Sequence, residues 1–332
     1  MLLRIGSRIG IAWLLLLGFA AAQTLAGEAH ALAQPALSQS AVIEGATLNW
    51  DALHFTLQRG EMALGGLENG KPVAAVFTGQ GQLRVAAPNP LARQQFQLFT
   101  TQDNLTLSFQ AAVFRFADGA AFAAALGPGV VFHPLAAAAA KPFADVLADR
   151  AHFAGDDELP GVARQLLALD SGAPAVAAGH GLLLAALKTD SGWVLASFDP
   201  LDSEAVEVSR YAQNSAYGQN VFHDDLAHFP AGAAAGAAPG AEPSLPPPDR
   251  LDNYDLSVTI PNNLDLQSQA AVEVSAARPG RGLLLALDGD LQVTAASLAD
   301  GSAVEWLQPR DPGRDRPENY VGDWLYLRLP HP

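Results

Sequence analysis

The sequence predicts a mainly β fold: two antiparallel β-sandwich-like domains, the first with a few helices packed on its sheet. Three observations predict it. Short apolar runs of strand length recur between residues 47 and 330, and most are separated by Gly, Pro, Asn or Asp. Two stretches in the middle of the chain have helical rather than strand spacing. Residues 231–249, rich in Ala, Gly and Pro, have almost nothing to bury and divide the apolar runs into two groups.

Composition sets the frame. The chain has 332 residues, enough for two ordinary domains, and its 49% hydrophobic content is that of a folded protein. A formal charge of −15, from 19 basic and 34 acidic residues, argues against a nucleic-acid partner, whose phosphates are held by Lys and Arg. With no cysteine, disulfides, thiolate metal sites and cysteine nucleophiles are excluded.

The elements follow in order. Arg4 and Arg8 precede an apolar run at residues 9–19, and Ala20-Ala21-Ala22 has the small-x-small pattern of a cleavage site, so residues 1–22 read as a secretory signal peptide. The run is shorter than the roughly 20 residues that span a bilayer. Ala29-His30-Ala31 and Ala31-Leu32-Ala33 repeat the small-x-small pattern. The expected product is secreted or periplasmic, with no membrane segment in the mature protein. Residues 23–46 read as a mobile leader of Ala, Gln, Ser and Pro.

Residues 47–230 are expected to form a β-rich extension domain. Its strand-like runs centre on Phe55, Val76, Val85, Phe96-Gln97-Leu98-Phe99, Leu107 and Phe114, with Pro88-Asn89-Pro90 and Gly79-Gln80-Gly81 read as turns. Residues 134–150 and 160–169 read as helices lying against the sheet. Strands return at 181–187, 193–198 and 205–211, the first two joined by Thr189-Asp190-Ser191-Gly192. The 231–249 tract is then a linker.

Beyond it, Tyr254, Leu256, Val258 and Ile260 alternate with Asp255, Ser257 and Thr259, the period of a strand with one buried and one wet face. Pro261-Asn262-Asn263 turns the chain, and Val272 and Val274 belong to a returning strand. Further runs at 283–287, 291–295, 303–307 and 324–329 complete a β domain at 250–332. Its last strand is expected to lie on an open edge, as in a truncated sheet.

The segment 254–330 resembles the amino-terminal saddle domain of aminopeptidase N-like gluzincin metallopeptidases. The likeness rests on Tyr254-Asp255-Leu256-Ser257-Val258, Ala271-Val272-Glu273-Val274, the leucines of 283–287 with Leu291 and Val293, the Asp300-Gly301 turn, and Leu325-Tyr326-Leu327-Arg328-Leu329-Pro330. The region 53–229 looks like the extension that precedes this domain in some secreted bacterial relatives, through residues 70–81, Ser197-Phe198-Asp199-Pro200 and Glu204-Ala205-Val206. The resemblance implies a non-catalytic amino-terminal part of a zinc metallopeptidase, partnered by a following catalytic domain or a peptide substrate. The family's HExxH helix, downstream glutamate and G-x-M-E-N motif do not occur in these residues. Zinc therefore belongs to the complete family, and no cofactor, metal or catalytic residue is assigned to this chain. The alternative is a stand-alone secreted β-sandwich module that binds a protein or polysaccharide.

Other candidates read as structural. His223 and His228 are five residues apart, so on a helix they would not share the face that a four-residue spacing gives two zinc ligands. Asp156-Asp157-Glu158 matches no calcium loop and fits an acidic helix start. Ser191 lacks a nucleophile elbow. Asn104-Leu105-Thr106 has the glycosylation pattern but is assigned no role. Trp306, Tyr320, Trp324 and Tyr326 suit either a carbohydrate-stacking face or cover for the open edge, and packing is the simpler role.

Overall fold

The computed structural model describes residues 2–6, 24–67, 71–99, 103–154, 158–171, 181–214, 220–230, 249–260, 267–276, 280–288, 291–308 and 324–331. The fold is mainly β and antiparallel. It divides into two compact units: one of residues 31–158 and 174–246, the other of 1–30, 159–173 and 247–332.

The larger unit is built on one nine-stranded sheet. Its strands are β2 (Ala36–Trp50), β3 (Leu53–Gly66), β4 (Pro72–Ala86), β5 (Asn104–Phe116), β6 (His133–Pro134), β7 (Leu183–Thr189), β8 (Gly192–Phe198), β9 (Val206–Asn214) and β10 (Asn220–Phe229), in the order β10-β9-β8-β7-β5-β4-β3-β2-β6. Apart from β6, strands adjacent in sequence pair with each other, so the sheet is a meander.

Residues 23–46 correct the expectation of a mobile leader. Leu25–Ala33 is a helix, α1, and β2 begins at Ala36. The alternation in β2 is masked because its inward set changes parity. Ala41 and Ile43 face the core, then Ala46, Leu48 and Trp50 do, with Gly45 at φ 77° between them. The same change occurs between Leu57 and Met62 in β3 and between Phe109 and Ala112 in β5. Because side chains alternate with period two, each change marks a level where the strand bends without losing its inner face.

Gly79-Gln80-Gly81 lies at this level and is not the tight turn expected. It is the interior of β4, where the register with β5 slips between Thr78 and Gly81. The runs around Val76 and Val85 are thus one bulged strand. The Thr189–Gly192 hairpin forms as its sequence predicts, with Gly192 at φ 118° and the Thr189 hydroxyl donating to the Gly192 carbonyl at 2.8 Å.

Helices cover both faces. α2 (Pro90–Phe99) and α3 (Gly119–Ala125) bury Ala92, Phe96 and Phe122 in the main core, where the Phe122 ring stacks on Phe116 at 4.1 Å. α4 (Lys141–Ala154) sets Phe143 against Ala63 and Val76 on the opposite face. The strand expected at Phe96–Phe99 is therefore helical: Asn89 Oδ1 accepts from Ala92 N at 2.9 Å, and Pro90 supplies the first helical φ. Ser209 on β9 is fully buried and its hydroxyl has no hydrogen-bond partner. Ser209→Ala is expected to raise stability by about 1 kcal/mol, because the burial cost of an unmade bond disappears; the shift of the urea midpoint measures it.

The smaller unit is a sandwich. One sheet has β11 (Arg250–Thr259), β12 (Gln267–Ser275), β1 (Leu2–Gly6) and β14 (Ala295–Leu298) in that order; the other has β13 (Gly282–Ala286), β16 (Trp324–Arg328) and β15 (Glu305–Leu307). Val274, Leu283, Val293, Ala296, Val304, Leu325, Leu327 and Leu329 form the core. Two expectations are corrected here. The last strand, β16, lies centrally between β13 and β15, is buried on both faces and is no open edge. β11 occupies an edge and has no buried face: Tyr254, Leu256, Val258 and Ile260 are 64, 62, 47 and 64% exposed. The Asp300-Gly301 turn forms, with Gly301 at φ 87° and Asp300 Oδ1 accepting from Ser302 N at 2.8 Å. The expected turn at 261–263 and the linker at 231–248 lie outside the described residues.

Helix α5 (Glu158–Asp170) corrects the domain boundaries. Its apolar spacing predicts a helix on the first sheet, but residues 159–173 group with the smaller unit, as do residues 1–30. Its last residue, Asp170, takes part in the cluster described next.

Candidate functional site

The most developed polar arrangement in the described residues lies within the smaller unit. It joins α1, α5 and β16. Arg328 Nε donates to Asp170 Oδ2 at 2.6 Å, and Arg328 Nη1 donates to Glu28 Oε2 at 2.7 Å. The Tyr326 hydroxyl also donates to Asp170 Oδ2. The three charged side chains are only 8, 15 and 17% exposed for Arg328, Asp170 and Glu28.

The local sequence explains the assembly. Tyr326 and Arg328 alternate with Leu325 and Leu327, so β16 turns its leucines to the sandwich core and its polar pair to the other face. Asp170 ends α5, where the amide of Arg281 donates to the Asp170 carbonyl at 3.0 Å and the Ser171 hydroxyl donates to the Ala168 carbonyl at 3.0 Å. The backbone before β13 must be thin for this approach. A Cβ on Gly280 would stand 2.9 Å from Ser171 Cα, and one on Gly282 would stand 2.8 Å from the Tyr326 hydroxyl.

Burial opposes the charge on Arg328, but the hydrogen bonds it donates to Glu28 and Asp170 outweigh it and hold the guanidinium's pKa above its ordinary value. Burial, reinforced by the bond to the Asp170 carboxylate, pushes the Tyr326 phenol well above 10.0. A raised folded-state pKa means that the folded protein keeps its proton where the unfolded chain loses it. The Tyr326 contribution to stability is therefore complete below pH 10.0 and declines as pH rises beyond that value. Tyr326→Phe is expected to flatten this alkaline loss in urea midpoints taken across the range.

One guanidinium between two carboxylates and a phenol can hold elements together. It offers no nucleophile paired with a base. Among the described residues, no group of three or more His, Asp or Glu is placed to hold a metal ion.

The other sequence candidates fall elsewhere. Asp156, Asp157 and Tyr320 lie outside the described residues, and Glu158 opens α5. His223 and His228 are on a strand, β10, not a helix; His228 is exposed, 3.6 Å from Glu204. Ser191 is held by the hairpin through Thr189 at 3.1 Å. Asn104 opens β5. Trp324 and Tyr326 are buried and Trp306 packs on the smaller core, so these aromatics form no open stacking face. His54, to which the sequence gives no role, is held by Asn49 Oδ1 at 3.0 Å, and burial followed by Arg84 lowers its pKa. The Glu28–Arg328–Asp170 set is invisible in the sequence because its members are separated by up to 300 residues.

Comparison with protein-family models, curated proteins and solved structures returned no match. No described helix is long and apolar enough to cross a membrane.

Proposed function

We propose that this protein supplies the non-catalytic β modules of a secreted, aminopeptidase N-like zinc metallopeptidase. The observation that supports this reading best is the smaller unit. Of the strand-forming segments on which the resemblance rests, those from Val274 to Leu329 close around one core as two packed sheets, with the Tyr254 strand on an edge. The polar groups of the cluster satisfy one another, as in a scaffold, and do not converge on a reacting atom. In this reading zinc and its general base belong to a catalytic domain, where water attacks the peptide bond. The exposed Leu256, Val258 and Ile260 are the surface the reading assigns to that domain.

Two measurements test it. Metal analysis of the purified protein is expected to find no stoichiometric zinc, and aminoacyl anilides are expected to remain uncleaved. One tightly held zinc per molecule would overturn the proposal. Coding DNA beyond codon 332 is expected to encode HExxH and a downstream glutamate; an immediate stop codon with a stable, folded product would favour the stand-alone binding module instead.

A further inference from the structure

Among the described residues of the smaller unit, β11 is the one long strand at a sheet edge, and it pairs with β12 alone. The other marginal strands are short: β14 has four residues, β13 five and β15 three. A strand edge presents a row of unpaired N–H and C=O groups, which proteins blunt by brevity, proline, lysine or a bulge. The bulge in β11 lies near its start, where Asn253 holds φ 50° and the register with β12 shifts between Asp252 and Asp255. Polar groups at that end are engaged within the unit. Arg250 Nη2 donates to Asp252 Oδ1 at 3.0 Å, the Ser275 hydroxyl donates to Asp252 Oδ2 at 3.0 Å, and Asn253 Nδ2 donates to Glu273 Oε2 at 2.6 Å. From Tyr254 to Ile260 the edge is regular, carries no proline or lysine, and has Asp255 as its one charge.

We infer that β11 pairs antiparallel with β11 of a second copy of this chain, about a two-fold axis at Ser257. The segment Tyr-Asp-Leu-Ser-Val-Thr-Ile alternates identically in both directions from that serine. In this register Ser257 meets its own counterpart, Leu256 meets Val258, Tyr254 meets Ile260 and Asp255 meets Thr259, so apolar opposes apolar and no two charges face each other. Other registers do worse. A slip of one residue sets apolar side chains against polar ones. An axis at Asp255 opposes two carboxylates; one at Leu256 sets Ile260 against Asp252, beyond the bulge; one at Val258 sets Asp255 against Pro261, which has no N–H to give. The face agrees as well. Leu256 lies opposite Ala270, which alternation places on the same face of β12 as Val274, a residue of the sandwich core. The apolar stripe of β11 is therefore the margin of the core-facing side, and pairing joins two such margins into one ribbon. The inference stands apart from the catalytic-domain reading, because it uses the edge of β11 and leaves that face to a further partner. The net charge of −15 on each copy opposes association, but salt screens it beyond about 8 Å. A dimer held by main-chain bonds and apolar contact should thus tighten as salt rises.

The chain has no cysteine, so one introduced thiol reports the register. Ser257→Cys sets two thiols directly opposite, with Cα atoms about 4.5–5.5 Å apart, inside the range a disulfide spans. Thr259→Cys sets them about 13 Å apart along the strands, outside it. Under mild oxidation the first variant is expected to form the disulfide dimer at least about tenfold faster than the second. Sedimentation of the unmodified protein is expected to show a monomer–dimer equilibrium that moves toward dimer with protein concentration and with salt. Ser257→Lys puts two ammonium groups together at the axis and is expected to weaken the dimer about tenfold or more. Its urea midpoint, taken at dilutions where the protein is monomeric, should not move, because position 257 is exposed. A protein that stays monomeric throughout would overturn the pairing and leave the edge to a strand of a different partner. Equal cross-linking at 257 and 259, or a dimer indifferent to Ser257→Lys, would overturn it too.

Discussion

Arg328→Met is expected to destabilise the smaller unit by about 3–5 kcal/mol, because it leaves Glu28 and Asp170 buried without their cation. Methionine fills much of the space of the arginine stem, so the loss reports charge and hydrogen bonding more than a cavity. A urea titration followed by tryptophan fluorescence measures it. With two compact units, a two-step curve is the expected baseline; the step carrying Trp306 and Trp324 should move, and the step carrying Trp50 and Trp193 should not. Adding Glu28→Gln and Asp170→Asn to Arg328→Met is expected to restore a large part of the loss, since replacing a buried ionic set as a whole costs far less than breaking it. If Arg328→Met alone shifted neither step, the cluster would not be what holds α1 and α5 to β16.

This cluster also shows what the sequence discloses about the fold. The alternation of Leu325, Leu327 and Leu329 is local, so the strand and its inner face are legible. That Arg328 meets a carboxylate 158 residues earlier is not, because ion pairing leaves no periodic trace along a polypeptide. The apolar residues of α5 predict a helix, but the pairing of Asp170 with Arg328 leaves no local signal either. The Phe96 helix is legible in principle. Asn89-Pro90 is a cap followed by a first-turn proline, but the aromatic run at 96–99 has strand propensity and the proline reads equally well as a break. In β11 the alternation predicts the strand correctly but not its burial, since period two records which side chains share a face and not whether anything covers it.

Gly79→Ala is expected to have the other large effect, on the larger unit. β3 and β4 pass each other so closely at the bend that a Cβ on Gly79 would lie 2.2 Å from the Arg59 carbonyl oxygen, and one on Gly60 would lie 2.2 Å from the Thr78 carbonyl oxygen. Both obstacles are backbone in the middle of a paired ladder, so neither can swing aside as a side chain would. Gly79 also holds φ at 151°, a conformation that an L side chain resists. Strain of this kind costs on the order of 1–3 kcal/mol before the steric clash is added. The expected result is a loss of about 3 kcal/mol or more in the unfolding step that carries Trp50 and Trp193, with the other step unmoved. Gly45 is the internal comparison. It lies at the same level with φ 77°, but nothing stands within 4 Å of a Cβ built there, so Gly45→Ala should carry only the backbone cost. Equal losses at positions 45 and 79 would mean that left-handed backbone, and not the close passage of two strands, dictates glycine at the bend.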